Sequence, residues 1–471
     1  VALLTVTLPH LSAGDWQRTD SAWYAAISLQ AWREGSLLTL FGEPGQPYFN
    51  KPPLVFWIQG LFMQALGANA WGARLPTILA AAGCVLVTVA LARQGLNRRA
   101  SMLSGFVLAL SYEFFRRTRE ISLDMWQALF LLLGAYLAMR AIRSGKGMPL
   151  LLAGIPIGLA LMCKQLVGLA AIPILGVGLL ACGRWRLLPW LGATLALALA
   201  VAAPWHLAMI QLHGDEFMRQ YFGAEVASRA AGEEGITGAG LGRWWFYLKQ
   251  LAEGYWPWLL PLGATFFSLA RRRPIGGDRR TLLVALVWSL LWLTLLSLFA
   301  DRRDRYAIVL YPGLAILAGA WLGYRARPGV RRVLGVLTGR RWWLIPACGI
   351  GFAILPIKVQ RPIDPQWVAL FEHLESTGNP EVWQGSMQPI RGARFYLETG
   401  RWPVTTRNRW GERVATPPGG SLIVYHRGDG LAPGPAEAVL FQRGELALTR
   451  LDDNATWNPL PAAPPDQSEG P

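Results

Sequence analysis

Apolar residues run through most of this chain in stretches of bilayer length, and polar residues gather in short breaks between them. A helix that crosses a bilayer needs about 20 mostly apolar residues. Windows on that scale predict spans near residues 71–92, 101–115, 123–142, 149–163, 166–183, 187–210, 255–270, 281–300, 306–324 and 342–357. The opening VALLTVTLPHL is too short to span; it reads as the end of a helix that begins before residue 1, since no basic n-region of a signal peptide precedes it. The stretch TDSAWYAAISLQAW after it reads as an amphipathic segment within a first external loop at about 10–70.

Beyond residue 357 the pattern changes. Charged residues return, Ser421–Tyr425 and Ala438–Phe441 read as short strands, and a helical stretch near 366–375 precedes them. The expected organisation is a membrane domain over 1–357 and a small α/β domain outside the membrane over 358–471, ending in a disordered Pro-rich PAAPPDQSEGP. The fold class is therefore an all-α polytopic membrane protein with a small C-terminal α/β extramembrane domain. No repeat period and no pair of matching interrupted helices is visible, which argues against a solenoid or a secondary transporter.

Composition agrees. Of 471 residues, 53% are hydrophobic and only 16% charged, against about 25% charged in soluble domains. A net charge of +16 would suit nucleic acid, but the arginines lie between apolar runs and not along one polar surface, so no nucleic-acid partner is expected. They instead set topology. Arg93, Arg98 and Arg99, then Arg140, Arg143 and Lys146, then Arg184 and Arg186, then 271–280 and 325–341 fall in alternate loops, which are cytoplasmic by the positive-inside rule. Segments 10–70 and 211–254 and the tail then face the other, external side.

The chemistry is signalled by charges that break this rule. Lys51, the run Arg116, Arg117 and Arg119, Lys164, and DRRDR at 301–305 lie on the external side at the ends of apolar spans. A charge at the bilayer centre costs roughly 2.5–3.5 kcal/mol, less near the interface, unless it is paired. Any one of them can be read as an ordinary snorkelling anchor. Four clusters on one face point to an anionic ligand, and a lipid phosphate already sits at this depth. Asp20 and Asp124 are the carboxylates that stand out there, with Glu120 an alternative acid and Arg119 or Arg117 the expected partner of Asp124. Helix capping is the plain reading of either aspartate. Beside cations, one can instead act as base on an incoming hydroxyl while the cations stabilise a departing phosphate.

Other chemistries find no support. The five histidines are scattered without HExxH, there is no Walker A or GxGxxG loop, and Cys84, Cys163, Cys182 and Cys348 lie in apolar stretches without ligand spacing. No metal ligand is assigned, and a divalent cation stays an open alternative.

Ordered motifs carry a resemblance. Asp20-Ser-Ala-Trp-Tyr24, Tyr48-Phe-Asn-Lys-Pro-Pro-Leu54, Ala73-Arg-Leu-Pro76, Arg119 with Leu123-Asp124, and Gly158-Leu-Ala-Leu-Met-Cys-Lys164 come first. Pro204-Trp-His206, Glu225 with Arg229, Gly254-Tyr-Trp-Pro-Trp258 and Arg305-Tyr-Ala-Ile-Val-Leu-Tyr-Pro312 follow. In that order, over residues 15–320, the chain resembles the bacterial glycosyltransferases that use polyprenyl-phosphate sugars, relatives of protein O-mannosyltransferases and of the lipid A aminoarabinose transferase. The resemblance implies a GT-C helix bundle and inverting transfer of a sugar from a polyprenyl-phosphate donor to lipid A, another glycolipid or a protein. It implies catalytic roles for Asp20 and Asp124, and donor-phosphate binding by Lys51, Arg119, Arg305 and Arg229. Tyr24, Lys164, His206 and Tyr306 are further substrate-site candidates. The chain departs from the pattern at Ser21, where an acid is usual, at Asn50, where Glu precedes the lysine, and at Gln165, where glycine is common. The alternative function is binding or flippase-type transport of an anionic lipid.

Overall fold

The computed structural model describes residues 19–43, 45–228, 242–271, 273, 275–299, 302–326, 365–378, 380–384, 389–405, 415–426, 431–444 and 446–461. The opening residues, the span expected at 342–357, Arg229, Cys348 and the Pro-rich end lie outside them.

The external segment begins with helix α1 (Thr19–Arg33), a short β1–β2 hairpin (Phe41–Glu43, Gln46–Pro47) and α2 (Leu54–Leu66). The bundle follows: α3 (Ala70–Arg93), α4 (Arg98–Ala109), α5 (Tyr112–Arg117), α6 (Leu123–Ser144), α7 (Met148–Leu152), α8 (Gly154–Leu161), α9 (Ala171–Ala181) and α10 (Pro189–Phe217). After the π-helix Met218–Ser228 come α11 (Gly242–Gly254), α12 (Leu259–Ala270), α13 (Arg279–Leu298) and α14 (Tyr311–Tyr324). Helices long and apolar enough to cross a bilayer are Ala70–Arg93, Leu123–Ser144, Trp185–Gly223 and Arg279–Leu298, fewer among the described residues than the windows predict. The apolar run expected at 101–115 divides at Leu110–Ser111, and those at 166–183 and 306–324 start as 3₁₀ turns, Leu166–Ala170 and Asp304–Val309.

Two ends of the bundle differ. At one end the basic loops meet: Arg143 pairs with Asp278 at 3.0 Å, the Asp278 amide donates to Gly95 O at 2.8 Å, and Arg184 Nε donates to Ile142 O at 2.7 Å. The segments that hold Gly95, Arg143, Arg184 and Asp278 thus share one end. The other end carries α1, the Lys51 turn, the 118–124 loop and the 302–306 segment.

The first loop departs from its sequence reading. The stretch expected to lie amphipathically on a surface is instead buried on almost every side from Ser21 to Ala31. One cover is α2, which approaches so closely that a Cβ on Gly60 would lie 2.4 Å from Ser28 O. The other is α16 (Pro389–Thr399) of the C-terminal region, whose Ala393, Tyr396 and Leu397 join the same apolar cluster. Arg33 lies over the Tyr396 ring at 5.7 Å, and Trp402 Nε1 donates to Gln30 Oε1 at 3.1 Å.

That region is a small α/β fold. α15 (Pro365–Ser376) packs on a five-stranded sheet with β3 (Val382–Gln384), β4 (Val404–Thr405), β5 (Leu422–His426), β7 (Glu437–Arg443) and β8 (Leu446–Leu451) in the order β4-β3-β5-β8-β7. The first three strands are parallel, and β8 is antiparallel to both neighbours. A second pair joins β6 (Leu431–Ala432) to β9 (Leu460–Pro461). Under the sheet Tyr425 Oη donates to Glu437 at 2.7 Å and accepts from Trp457 Nε1 at 2.7 Å. Burial and the Glu437 carboxylate outweigh the Trp457 bond and push this phenol above its ordinary value.

Candidate active site

A cavity of about 500 Å³ opens at the end of the bundle opposite the basic loops. Ser21 and Tyr24 of α1, Lys51, Asp124, Lys164 and the run Arg302–Tyr306 all line it, with Phe246 and Gln250 of α11. Segments far apart in the chain thus converge, and six lining cations (Lys51, Arg117, Lys164, Arg302, Arg303, Arg305) face three carboxylates (Glu120, Asp124, Asp304). An excess of positive charge in a partly buried hollow is a receptor for an anion.

Asp124 sits in the first turn of α6, whose cap is Ser122, accepting from the Met125 amide at 3.2 Å. Asp124 is therefore not the cap. Nor is its partner Arg119 or Arg117, as its position in the sequence suggested. It pairs with Lys164 Nζ, and Arg305 Nε lies 3.7 Å from its second oxygen. Lys164 Nζ also stands 3.8 Å above the Tyr306 ring, and Gln127 Nε2 holds the Lys164 carbonyl at 3.0 Å.

Arg117 is only 1% exposed and is spent on structure. Its guanidinium meets Glu113 at 2.8 Å, Glu120 at 2.8 Å and Asp304 at 2.5 Å, while Arg116 joins Glu113 at 2.5 Å and Asp304 at 2.9 Å. Burial alone would raise the Asp304 pKa, but Arg117 and Arg116 outweigh it and hold this carboxyl below its ordinary range. The network fastens the 302–306 segment to α5 and so aims Arg305 at Asp124. Its local half was legible: Glu113 to Arg116 and Arg117, and Arg117 to Glu120, have the i,i+3 and i,i+4 spacing of a helix face. Glu113 and Asp304 were not singled out, and nothing in the sequence reveals the contact from Arg116 and Arg117 to Asp304.

Lys51 is 5% exposed, and its Nζ donates to the carbonyl of Asn50 at 2.8 Å. Proline at 52 and 53 restricts the backbone around it, and the Leu54 amide bonds Met162 O at 3.2 Å. Two expected residues lie away from the cavity. Arg119 is 7% exposed against the Phe115 ring at 5.1 Å; its Nε and Nη1 have no hydrogen-bond partner among the described residues. Burial and the nearby Arg74 charge lower its pKa. His206 belongs to an aromatic cluster, bonded to Ala202 O at 2.9 Å and the Tyr221 hydroxyl at 3.0 Å. Asp20 occupies the first turn of α1, one turn before Tyr24, though its side chain is outside the described residues. Among the described residues no group of His, Cys, Asp and Glu is placed to hold a metal ion.

Residues 50–207 match the family model of dolichyl-phosphate-mannose-protein mannosyltransferase. The undecaprenyl phosphate-alpha-4-amino-4-deoxy-L-arabinose arabinosyl transferase of Pseudomonas savastanoi pv. phaseolicola is 28% identical over 371 residues, 77% of this chain and 67% of that protein. The transferase of the same name from Pseudomonas aeruginosa UCBPP-PA14 is 29% identical, covering 60% of this chain and 52% of that one. The fold matches crystal structures of ArnT from Cupriavidus metallidurans. In the apo state the TM-score is 0.73 at 16% identity, and bound to undecaprenyl phosphate it is 0.67 at 17%, each over 95% of this chain and 96% of that one. The chain thus resembles the polyprenyl-phosphate-sugar glycosyltransferases over part of its sequence and shares the GT-C-type fold of ArnT. Its GT-C bundle and small C-terminal sheet are those the sequence predicts, while the match spans only half to two thirds of the length of these two relatives.

Proposed function

We propose that this GT-C relative transfers a sugar from an undecaprenyl-phosphate donor to a lipid acceptor, of which lipid A is the leading case, at the periplasmic face of a bacterial inner membrane. The observation that carries the reading is the cavity in which Lys164 and Arg305 hold Asp124, with Lys51 in the same lining, beside the end of α1 that holds Asp20. The relatives are named for an undecaprenyl-phosphate aminoarabinose donor, which supports the choice of lipid carrier.

The reaction divides the work between charges. An acceptor oxygen attacks the anomeric carbon from the side opposite the phosphate, the carbon–phosphate-oxygen bond breaks, and configuration inverts. The bonding pair leaves with the phosphate, whose growing charge Lys51 and Arg305 stabilise. Preorganised cations in a water-poor hollow do this without reorganising during the reaction. A carboxylate takes the proton of the acceptor; Asp20 has this role as base or orienting acid. Asp124, tied to Lys164 and Arg305, orients the donor side. The basic loops gathered at the far end support an external site through the positive-inside rule.

The test compares glycolipids and envelope glycoproteins by mass spectrometry in cells with the gene intact, deleted, or carrying Asp20→Asn. One sugar missing in both altered strains identifies the acceptor. Asp20→Asn activity within twofold of wild type removes the catalytic assignment.

A further inference from the structure

The donor reading leaves Gln165 without a role, and this residue is unusual in two ways. It has φ +46° and ψ −167°, the one positive-φ residue other than glycine among the described residues. That region of backbone space is essentially reserved for glycine. It is also 5% exposed. A buried, flexible polar side chain in a glycine conformation stays there only when something it does offsets the cost.

The side chain reaches from the Lys164 turn across to the Lys51 turn. Gln165 Nε2 donates to the Asn50 carbonyl at 2.9 Å, and that same oxygen accepts from Lys51 Nζ at 2.8 Å. A carbonyl oxygen has two lone pairs, so both bonds can be held together. The Leu54 amide on Met162 O at 3.2 Å joins the same two turns from the other flank. Lys51 and Lys164 are 113 positions apart in the chain, yet both line the cavity.

We infer that Gln165 is a positioning residue that fixes the Asn50 peptide and thereby sets Lys51 for the anionic phosphate of the donor. The inference rests on the donor reading and adds to it a residue that touches neither reacting atom. Gln165 holds one lone pair of the Asn50 oxygen, so the peptide plane cannot swing when Lys51 leaves the other lone pair for a phosphate. Lys51 therefore meets its ligand from a fixed base, and the ordering cost is met before binding. A glycine here would satisfy the backbone and remove the amide from the turn-to-turn tie.

The experiment measures binding of undecaprenyl phosphate to the full chain in detergent, by quenching of tryptophan fluorescence, together with its melting temperature. Gln165→Gly relieves the backbone and removes the amide, and Gln165→Met keeps the side-chain length while removing the donor without adding a charge. The expected result is that both weaken binding about five- to tenfold, the scale of one neutral amide-to-carbonyl hydrogen bond. Gln165→Gly should melt no lower than wild type. In a Lys51→Met background, where binding is already weak, either change should have an effect of less than about twofold, because coupled residues are non-additive. Wild-type affinity in both single variants, or an undiminished loss in the Lys51→Met background, overturns the positioning role. A wild-type chain that fails to bind undecaprenyl phosphate overturns the donor reading, and this inference with it.

Discussion

Replacing Asp124 by Asn removes one charge and leaves two cations facing each other. The carboxylate is 11% exposed, as is the Lys164 side chain it contacts, and the Arg305 side chain 3.7 Å away is 22% exposed. At an effective dielectric of about 20, unit charges near 4 Å attract by about 4 kcal/mol before desolvation is counted. Removing one member of a buried pair costs about 3–5 kcal/mol, mostly from the charge left behind. Part of that cost falls on folding and part on the reacting complex. If half reaches the transition state, about 2 kcal/mol lowers the rate some 30-fold. The assay is turnover of an undecaprenyl-phosphate sugar by purified protein, with the melting temperature measured in the same detergent. Asp124→Asn should lose at least that factor in kcat/KM and melt several degrees lower. Adding Lys164→Met should recover much of the melting temperature and none of the activity, since it removes the stranded ammonium without restoring the carboxylate. Asp124→Asn with wild-type turnover and melting would refute the argument.

Other consequences can be checked singly. Gly60→Ala brings a methyl against Ser28 O and the Trp32 ring; overpacking of this kind costs about 1–3 kcal/mol, and by displacing α1 it should reduce turnover more than a surface change in α2 such as Gln64→Ala. Because Asp304 is held below the ordinary carboxylate range, the folded state binds fewer protons there than the unfolded chain. The network's contribution is therefore complete above the ordinary carboxylate value and lost as pH falls through the lowered one. Acid unfolding of Asp304→Asn should show a shallower pH dependence in that window, and an identical profile would contradict it. Leu370, fully buried among Trp367, Val424 and Leu448, should cost about 2–5 kcal/mol on replacement by Ala, read as earlier thermal loss of the C-terminal sheet's tryptophan signal.

The architecture was legible because membrane helices must satisfy their backbone internally and therefore announce themselves as long apolar runs. What the runs could not show is where a helix stops short: the 3₁₀ turn before α9, Leu166–Ala170, is as apolar as its helix. The site was legible as misplaced charge. Lys51, Lys164 and Arg305 stand out against the positive-inside pattern, and the structure brings them into one cavity with Asp124. The identity of partners was not legible. Asp124 is four and five positions from Glu120 and Arg119, and sequence proximity favoured the wrong arginines, whereas its actual partner comes from Lys164, 40 positions away. Arg119 looked like a phosphate ligand by type and position, yet its side chain turns to Phe115 and away from the cavity lining. The helix carrying Asp20 looked amphipathic since nothing in its own residues reports the second cover that α16 lays over it.

The most direct test of the central claim follows the lipid carrier. Purified protein is incubated with an undecaprenyl-phosphate-linked aminoarabinose and lipid A, and free undecaprenyl phosphate is measured with the modified acceptor. The account predicts equal amounts of both products from the wild-type chain and neither from Asp20→Asn. A donor that remains intact while the protein binds it or moves it across a vesicle membrane would contradict sugar transfer and establish a lipid transporter on the same scaffold.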